Sequence, residues 1–229
     1  MLLPLLLQAV SSLDVITTVA GTGQAKGGDG CTKTVGTSAC LSSPYGIVLD
    51  STNSNLYIAD QDSAQVRKLA LSTGIISTIA GTGATGSIGD GGQATSARLV
   101  HPEGLALDAS SANLYISDYS NNNIRKVNLG SGIISLVAGT AGSSGLSGDG
   151  GPATSAELDS PYGLAIDSSS SYLYVADYSN SKVRRIDLVS GTISTFAGTG
   201  SAGSSGDGGP ATSARLNYPR GLAIDSSST

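Results

Sequence analysis

The chain has 229 residues, with 32 glycines, nine tyrosines, no tryptophan and one phenylalanine, and it carries a formal net charge of −5. That length can bury one sizeable core. The acidic balance excludes the basic footprint that nucleic-acid binding requires, and the aromatic scarcity leaves packing to aliphatic residues and repeated tyrosines.

Residues 1–14 open with Met-Leu-Leu-Pro-Leu-Leu-Leu, too short an apolar stretch to span a bilayer. The stretch resembles a clipped secretory core followed by small residues, but no basic residues precede it, so an arbitrary start within a longer protein fits equally well. A lone apolar strand is predicted over Val15–Ala20. A glycine-rich loop around Asp29 follows, and it holds both cysteines, Cys31 and Cys40. Later copies of this loop carry Gly92, Gly151 and Gly209 where Cys31 stands, and Arg98, Glu157 and Arg215 where Cys40 stands. Two coordinated departures in one loop suggest a local disulfide, worth roughly 2.7 kcal/mol by loop-closure entropy, and an oxidising, extracytoplasmic setting. Two free buried thiols are the alternative. Without histidines beside them, the cysteines do not make a zinc site.

Four short apolar runs come next: Gly46–Asp50, Leu56–Asp60, Val66–Leu69 and Ile75–Ala80. Each is rich in Val, Ile, Leu, Thr or Tyr and bounded by Ser, Asn, Asp and Gly, the signature of strands and turns. The set recurs over about 104–138 and 163–197, and the sequence stops after the first run of another set, Gly221–Asp225. An Ala-Gly-Thr marker falls at Gly21, Gly81, Gly139 and Gly198, in steps of 60, 58 and 59 residues, and a Pro-x-Gly turn keeps the same beat from Pro44. A period of this size means stacked units that cannot bury a core singly. Four antiparallel strands packed on both faces are the blade of a β-propeller. Each loop's Thr-Ser (Thr37, Thr95, Thr154, Thr212) is expected to open one helical turn, with the hydroxyl as its cap.

The pattern GDGGPATSA, then P-x-GLA-x-D, LY-x-AD, a basic pair and IST-x-AG resembles the NHL repeat in its long-loop, teneurin-like or bacterial extracellular form, over about residues 15–229. The fold this resemblance implies is an all-β propeller of four-stranded blades, incomplete here: three full blades (46–80, 104–138, 163–197), a partial one at 221–229 and flanking strands. An open arc leaves unpaired edges, which offer a surface for self-association and suggest a fragment of a longer propeller. The resemblance implies an interaction module, since most such propellers recognise other molecules, whereas a minority are enzymes or bind RNA.

Recurring residues are assigned to the frame. Tyr57, Tyr115 and Tyr174 recur in register and should pack between blades. Arg67, Arg125 and Arg184 should pair with Asp60, Asp118 and Asp177. The loop aspartates Asp29, Asp90, Asp149 and Asp207 offer one carboxylate per loop, too few for a calcium site, so they are structural turn residues. Enzymes on similar propellers gather several histidines on zinc, or Glu, Asp and Asn around calcium. His101 is the chain's single histidine, so no metal-imidazole cluster, metal site or cofactor is expected, and His101 reads as a surface loop residue. Residues that vary within the frame are the candidates for binding: Tyr45, Glu103, Tyr162 and Arg220 after the turn proline, with His101 and Tyr218 before it. The expectation is a non-catalytic extracellular or cell-surface module that binds protein or glycan and not nucleic acid, with no membrane span in this segment. The alternative is a fragment of a propeller lyase or hydrolase whose catalytic residues lie in missing blades.

Overall fold

The computed structural model describes residues 17–23 and 35–225. Val15, Ile16, Asp29 and Cys31 lie outside the described residues, as do 1–14 and 226–229. Among the described residues twelve strands form three four-stranded antiparallel sheets. The first holds β1 (Pro44–Leu49), β2 (Asn55–Asp60), β3 (Gln65–Ala70) and β4 (Ile75–Ala80). The second holds β5 (Pro102–Leu107), β6 (Asn113–Asp118), β7 (Asn123–Asn128) and β8 (Ile134–Ala138). The third holds β9 (Pro161–Ile166), β10 (Tyr172–Asp177), β11 (Lys182–Asp187) and β12 (Ile193–Ala197). Within each sheet the strands lie in sequence order, and the first strands β1, β5 and β9 are neighbours across the three sheets.

Strand alternation sorts side chains between the two faces of a sheet. In the second sheet Leu114, Ile116, Val127 and Ile134 face backward and pack on Tyr57, Ala59 and Val66 of the first. Tyr115 and Ile124 face forward, onto Leu173, Val175, Ile186 and Ile193 of the third. Both faces are therefore apolar, which is why alternation in the sequence is weak. Each well-buried aliphatic side chain in these layers contributes about 1.5–3 kcal/mol. Tyr57 and Tyr115 are buried, whereas Tyr174, on the forward face of the third sheet, is half-buried and meets Phe196 edge-on at 4.9 Å.

The Pro-x-Gly turn has a steric cause. A Cβ on Gly46 would lie 2.1 Å from the Glu103 carbonyl oxygen, one on Gly104 2.1 Å from that of Tyr162, and one on Gly163 2.1 Å from that of Arg220. Glycine lets neighbouring first strands touch backbone to backbone. In all three sheets the pairing of first and second strand shifts register just after the proline. Such a bulge re-aims the side chain it carries, here Tyr45, Glu103 and Tyr162.

Two expectations are corrected. A single 3-10 turn forms in each loop (Gly36–Ser38, Ala94–Ser96, Ala153–Ser155, Ala211–Ser213), but the threonine lies inside it. The cap positions are Val35, Gln93, Pro152 and Pro210, with no side-chain cap bond. Backbone bonds hold the turn instead, such as Ala94 N to Gly132 O at 2.8 Å. Residues 17–20 and 221–225 form no regular strand. Among the described residues no second strand lies beside Gly221–Asp225, and just before it Arg220 O accepts from the Gly163 N–H of the third sheet at 2.9 Å.

Candidate functional site

The most chemical-looking loops turn out to clamp buried arginines. Arg125 and Arg184 are fully buried on β7 and β11. Asp90, from the loop after the first sheet, accepts from Arg125 Nε at 2.9 Å, and Asp149, one loop later, accepts from Arg184 Nη2 at 2.8 Å. The strand-end carboxylates complete the clamp: Asp118 lies 3.6 Å from Arg125 and Asp177 3.2 Å from Arg184. Each arginine also donates to a loop carbonyl, of Arg98 or Glu157, at 3.2 Å. Burying a charge demands this degree of pairing. Arg67 reaches Asp60 at 3.7 Å. Asp207 is exposed and forms no ion pair among the described residues.

Asp118 is a hub in its own right. Its Oδ1 accepts the Val100 N–H at 2.6 Å and its Oδ2 the Asn121 amide at 2.7 Å. Burial raises its pKa to about 6, although Asn121, Val100 and Arg125 oppose the shift. Asp177 is likewise raised by burial, against Asp159 N–H, Asn180 and Arg184. The aspartates closing each first strand behave oppositely. Burial pushes Asp50, Asp108 and Asp167 up, but hydrogen bonds such as those from Asn55, Asn113 and Ser169 outweigh it and leave them below the ordinary value.

The binding candidates gather where the first strands begin. The residue just after each second strand meets the residue following the turn proline of the next repeat. Gln61 donates to Glu103 Oε1 at 2.6 Å, Tyr119 packs edge-on against Tyr162 at 5.9 Å, and Arg220 donates to the Tyr178 hydroxyl at 3.3 Å. The contact recurs in place and changes in chemistry. Around it the rings of Tyr45 and Tyr162 lie 5.8 Å apart, Tyr162 and Tyr178 5.8 Å, and Tyr178 and Tyr218 5.2 Å. The Arg220 guanidinium sits 5.3 Å and 5.1 Å from the Tyr162 and Tyr178 ring centres.

Glu103 lies beneath this shelf at 3% exposure, and its Oε2 completes no hydrogen bond. Burial raises its pKa against the Tyr162 hydroxyl, the Gln61 amide, His101 and Arg220. Tyr162 is itself held above the ordinary phenol range, first by burial, then by Tyr45 and Glu103. Tyr45 and Tyr218 are half exposed. His101 is joined less closely: its Nδ1 lies 2.9 Å from Ser120 Oγ, outside the ring stack. With Ser43, Ser160 and Tyr218 it occupies a left-handed backbone position before the proline, φ 50–54°.

The structure thus brings Tyr45, Glu103, Tyr162, Tyr218 and Arg220 together and adds Gln61, Tyr119 and Tyr178, which sequence reasoning missed. The same signal, variation within a recurring frame, marks those three, since each directly follows the Asp that closes the second strand. Cys40 is described but Cys31 is not, so the pairing of the two stays with the proposal below. Among the described residues no group of three or more His, Cys, Asp or Glu side chains is placed to hold a metal ion, and no helix is long and apolar enough to cross a membrane.

Sheets of four antiparallel strands, ordered from an inner first strand and stacked face to face with those first strands adjacent, define a segment of a β-propeller. No protein-family profile matches the chain. It is 28% identical over 214 residues to Protein SUPPRESSOR OF QUENCHING 1, chloroplastic, of Arabidopsis thaliana, covering 91% of this chain and 20% of that protein. It is 32% identical over 165 residues to NHL repeat-containing protein 2 of Bos taurus, covering 69% of this chain and 22% of that protein. A Bacteroides thetaiotaomicron protein of unknown function shares the fold, with TM-score 0.61 and 21% identity over 78% of this chain and 41% of that one. The chain belongs to the NHL-repeat β-propellers, and it spans about a fifth of the length of the curated relatives it matches.

Proposed function

We propose that this chain is a non-catalytic interaction module whose binding face is the tyrosine-rich rim at the start of the first strands. One observation carries this: the contact between successive repeats recurs there in position but varies in chemistry, from Gln61–Glu103 to Tyr119–Tyr162 to Tyr178–Arg220. Half-exposed tyrosines beside an arginine have the composition of interface hot spots. The ligand class is a protein or a glycan, in an extracellular or cell-surface setting, with residues 15–229 as the propeller and Cys31–Cys40 as a stapling disulfide. Open sheet edges of the arc also make self-association a property to measure.

The test is a protein and glycan array probed with the wild-type chain, a Tyr178→Ala/Tyr218→Ala double variant and a Val189→Ala control far from the rim. Binding is expected to fall about tenfold or more in the double variant, as for loss of central aromatic anchors, and to hold in the control. Undiminished binding by the double variant would sink the proposal.

A further inference from the structure

We infer that the tyrosine shelf is a receptor for a cationic side chain, an arginine or lysine of a partner protein, and that Arg220 holds that place in the free chain. The inference rests on the rim being the binding face and adds what that face selects.

Ring faces attract a cation within about 6 Å of the centroid, and Arg220 lies inside that distance from both Tyr162 and Tyr178. The shelf therefore accepts a guanidinium sterically and electrostatically. Arg220 is exposed, belongs to a segment without regular strand structure, and is tethered to Tyr178 by one long hydrogen bond of 3.3 Å. A partner's cation can displace it at small cost.

Glu103 supplies the preference for charge. It is sealed beneath the rings, with Gln61 on Oε1 and Oε2 without a completed bond. From there it cannot reach the hydroxyls of a sugar stacked above. Its carboxylate acts through its field, which weak screening preserves. That field favours a cation over a neutral ring of equal size. Asp62, bonded to Ser43, and Asp159, bonded to Ser160, add negative charge along the same rim, against Arg220.

The experiment titrates the whole chain with acetylated tetra-arginine, tetra-lysine and tetra-glutamate peptides by calorimetry, with tyrosine fluorescence as a second signal because the chain has no tryptophan. Tetra-arginine is expected to bind best and tetra-glutamate not at all. Arg220→Ala should tighten tetra-arginine binding about threefold by vacating the shelf, and Glu103→Gln should weaken it about threefold. Thermal melting confirms that both variants are folded, and Arg220→Ala, being at the surface, keeps the test open should Glu103→Gln unfold. Equal or stronger binding of tetra-glutamate, or weakening by Arg220→Ala, overturns the inference and makes Arg220 a reader of anions. If array ligands are lost in the Tyr178→Ala/Tyr218→Ala variant yet tetra-arginine never binds, the cation preference alone fails. If that variant keeps all its ligands, the rim itself fails.

Discussion

Arg125 is the residue whose environment says most about the frame. It is fully buried yet charged, and it survives there because Asp90 and Asp118 reach it from two elements. Arg125→Met should cost about 3–5 kcal/mol, measured by chemical denaturation, since two carboxylates lose their counter-charge. Its partner Asp118 gives a pH signature. The folded pKa, about 6, lies above the ordinary 3.8, so the stability this group contributes is present below about pH 3.8 and is lost as pH rises towards 6. Asp108 has the opposite sign, because its folded value is lowered, so its contribution is present above 3.8 and lost as pH falls below that. Denaturation curves against pH should therefore decline less between about pH 4 and 6 in Asp118→Asn, with Asp177 still contributing its share, and their acid-side decline should shrink in Asp108→Asn. The sequence made the Arg125–Asp118 pair legible, since both recur at fixed spacing. The Asp90 clamp was not legible. It joins residues 35 apart through a loop whose glycines suggested that the carboxylate bonded its own backbone.

At the scale of elements, the repeat provides its own control. Gly104 and Gly221 occupy the same place in the unit, but an added Cβ would strike the Tyr162 carbonyl oxygen at 2.1 Å in one and meet nothing within 4 Å in the other. Gly104→Ala should destabilise by about 1–3 kcal/mol as an overpacked contact, and Gly221→Ala should stay within about 0.5 kcal/mol. Equal effects would mean that the glycine serves backbone conformation and not strand approach. The same contrast explains what the sequence revealed of each strand. The inner runs were recognisable from composition and turn residues because each lies against neighbours with the same pattern. Gly221–Asp225 carries that pattern too, yet forms no ladder, since a strand exists by its pairing and no second strand lies beside it among the described residues. Tyr119 and Tyr178 were overlooked for a related reason: they sit just past a strand, and they meet Tyr162 and Arg220, the residues after the turn proline of the following repeat.

For the whole molecule, stability comes from stacking similar layers, so it depends on interfaces between neighbours more than on any one sheet. The loop carrying Cys31 and Cys40 precedes the first sheet, and a bridge there should contribute about 2–3 kcal/mol. Intact mass without reductant is expected to be lower by two hydrogens than with it, and reduction is expected to lower the denaturation midpoint. An unchanged mass would remove the disulfide. The central claim is a division of labour, in which residues recurring in register build the propeller arc and those varying at the rim bind. The most direct test measures unfolding free energy and array binding together in Tyr178→Ala/Tyr218→Ala. Stability within about 1 kcal/mol of wild type with binding reduced about tenfold or more is the expected result. Binding intact, or binding lost only because the chain unfolds, would contradict it.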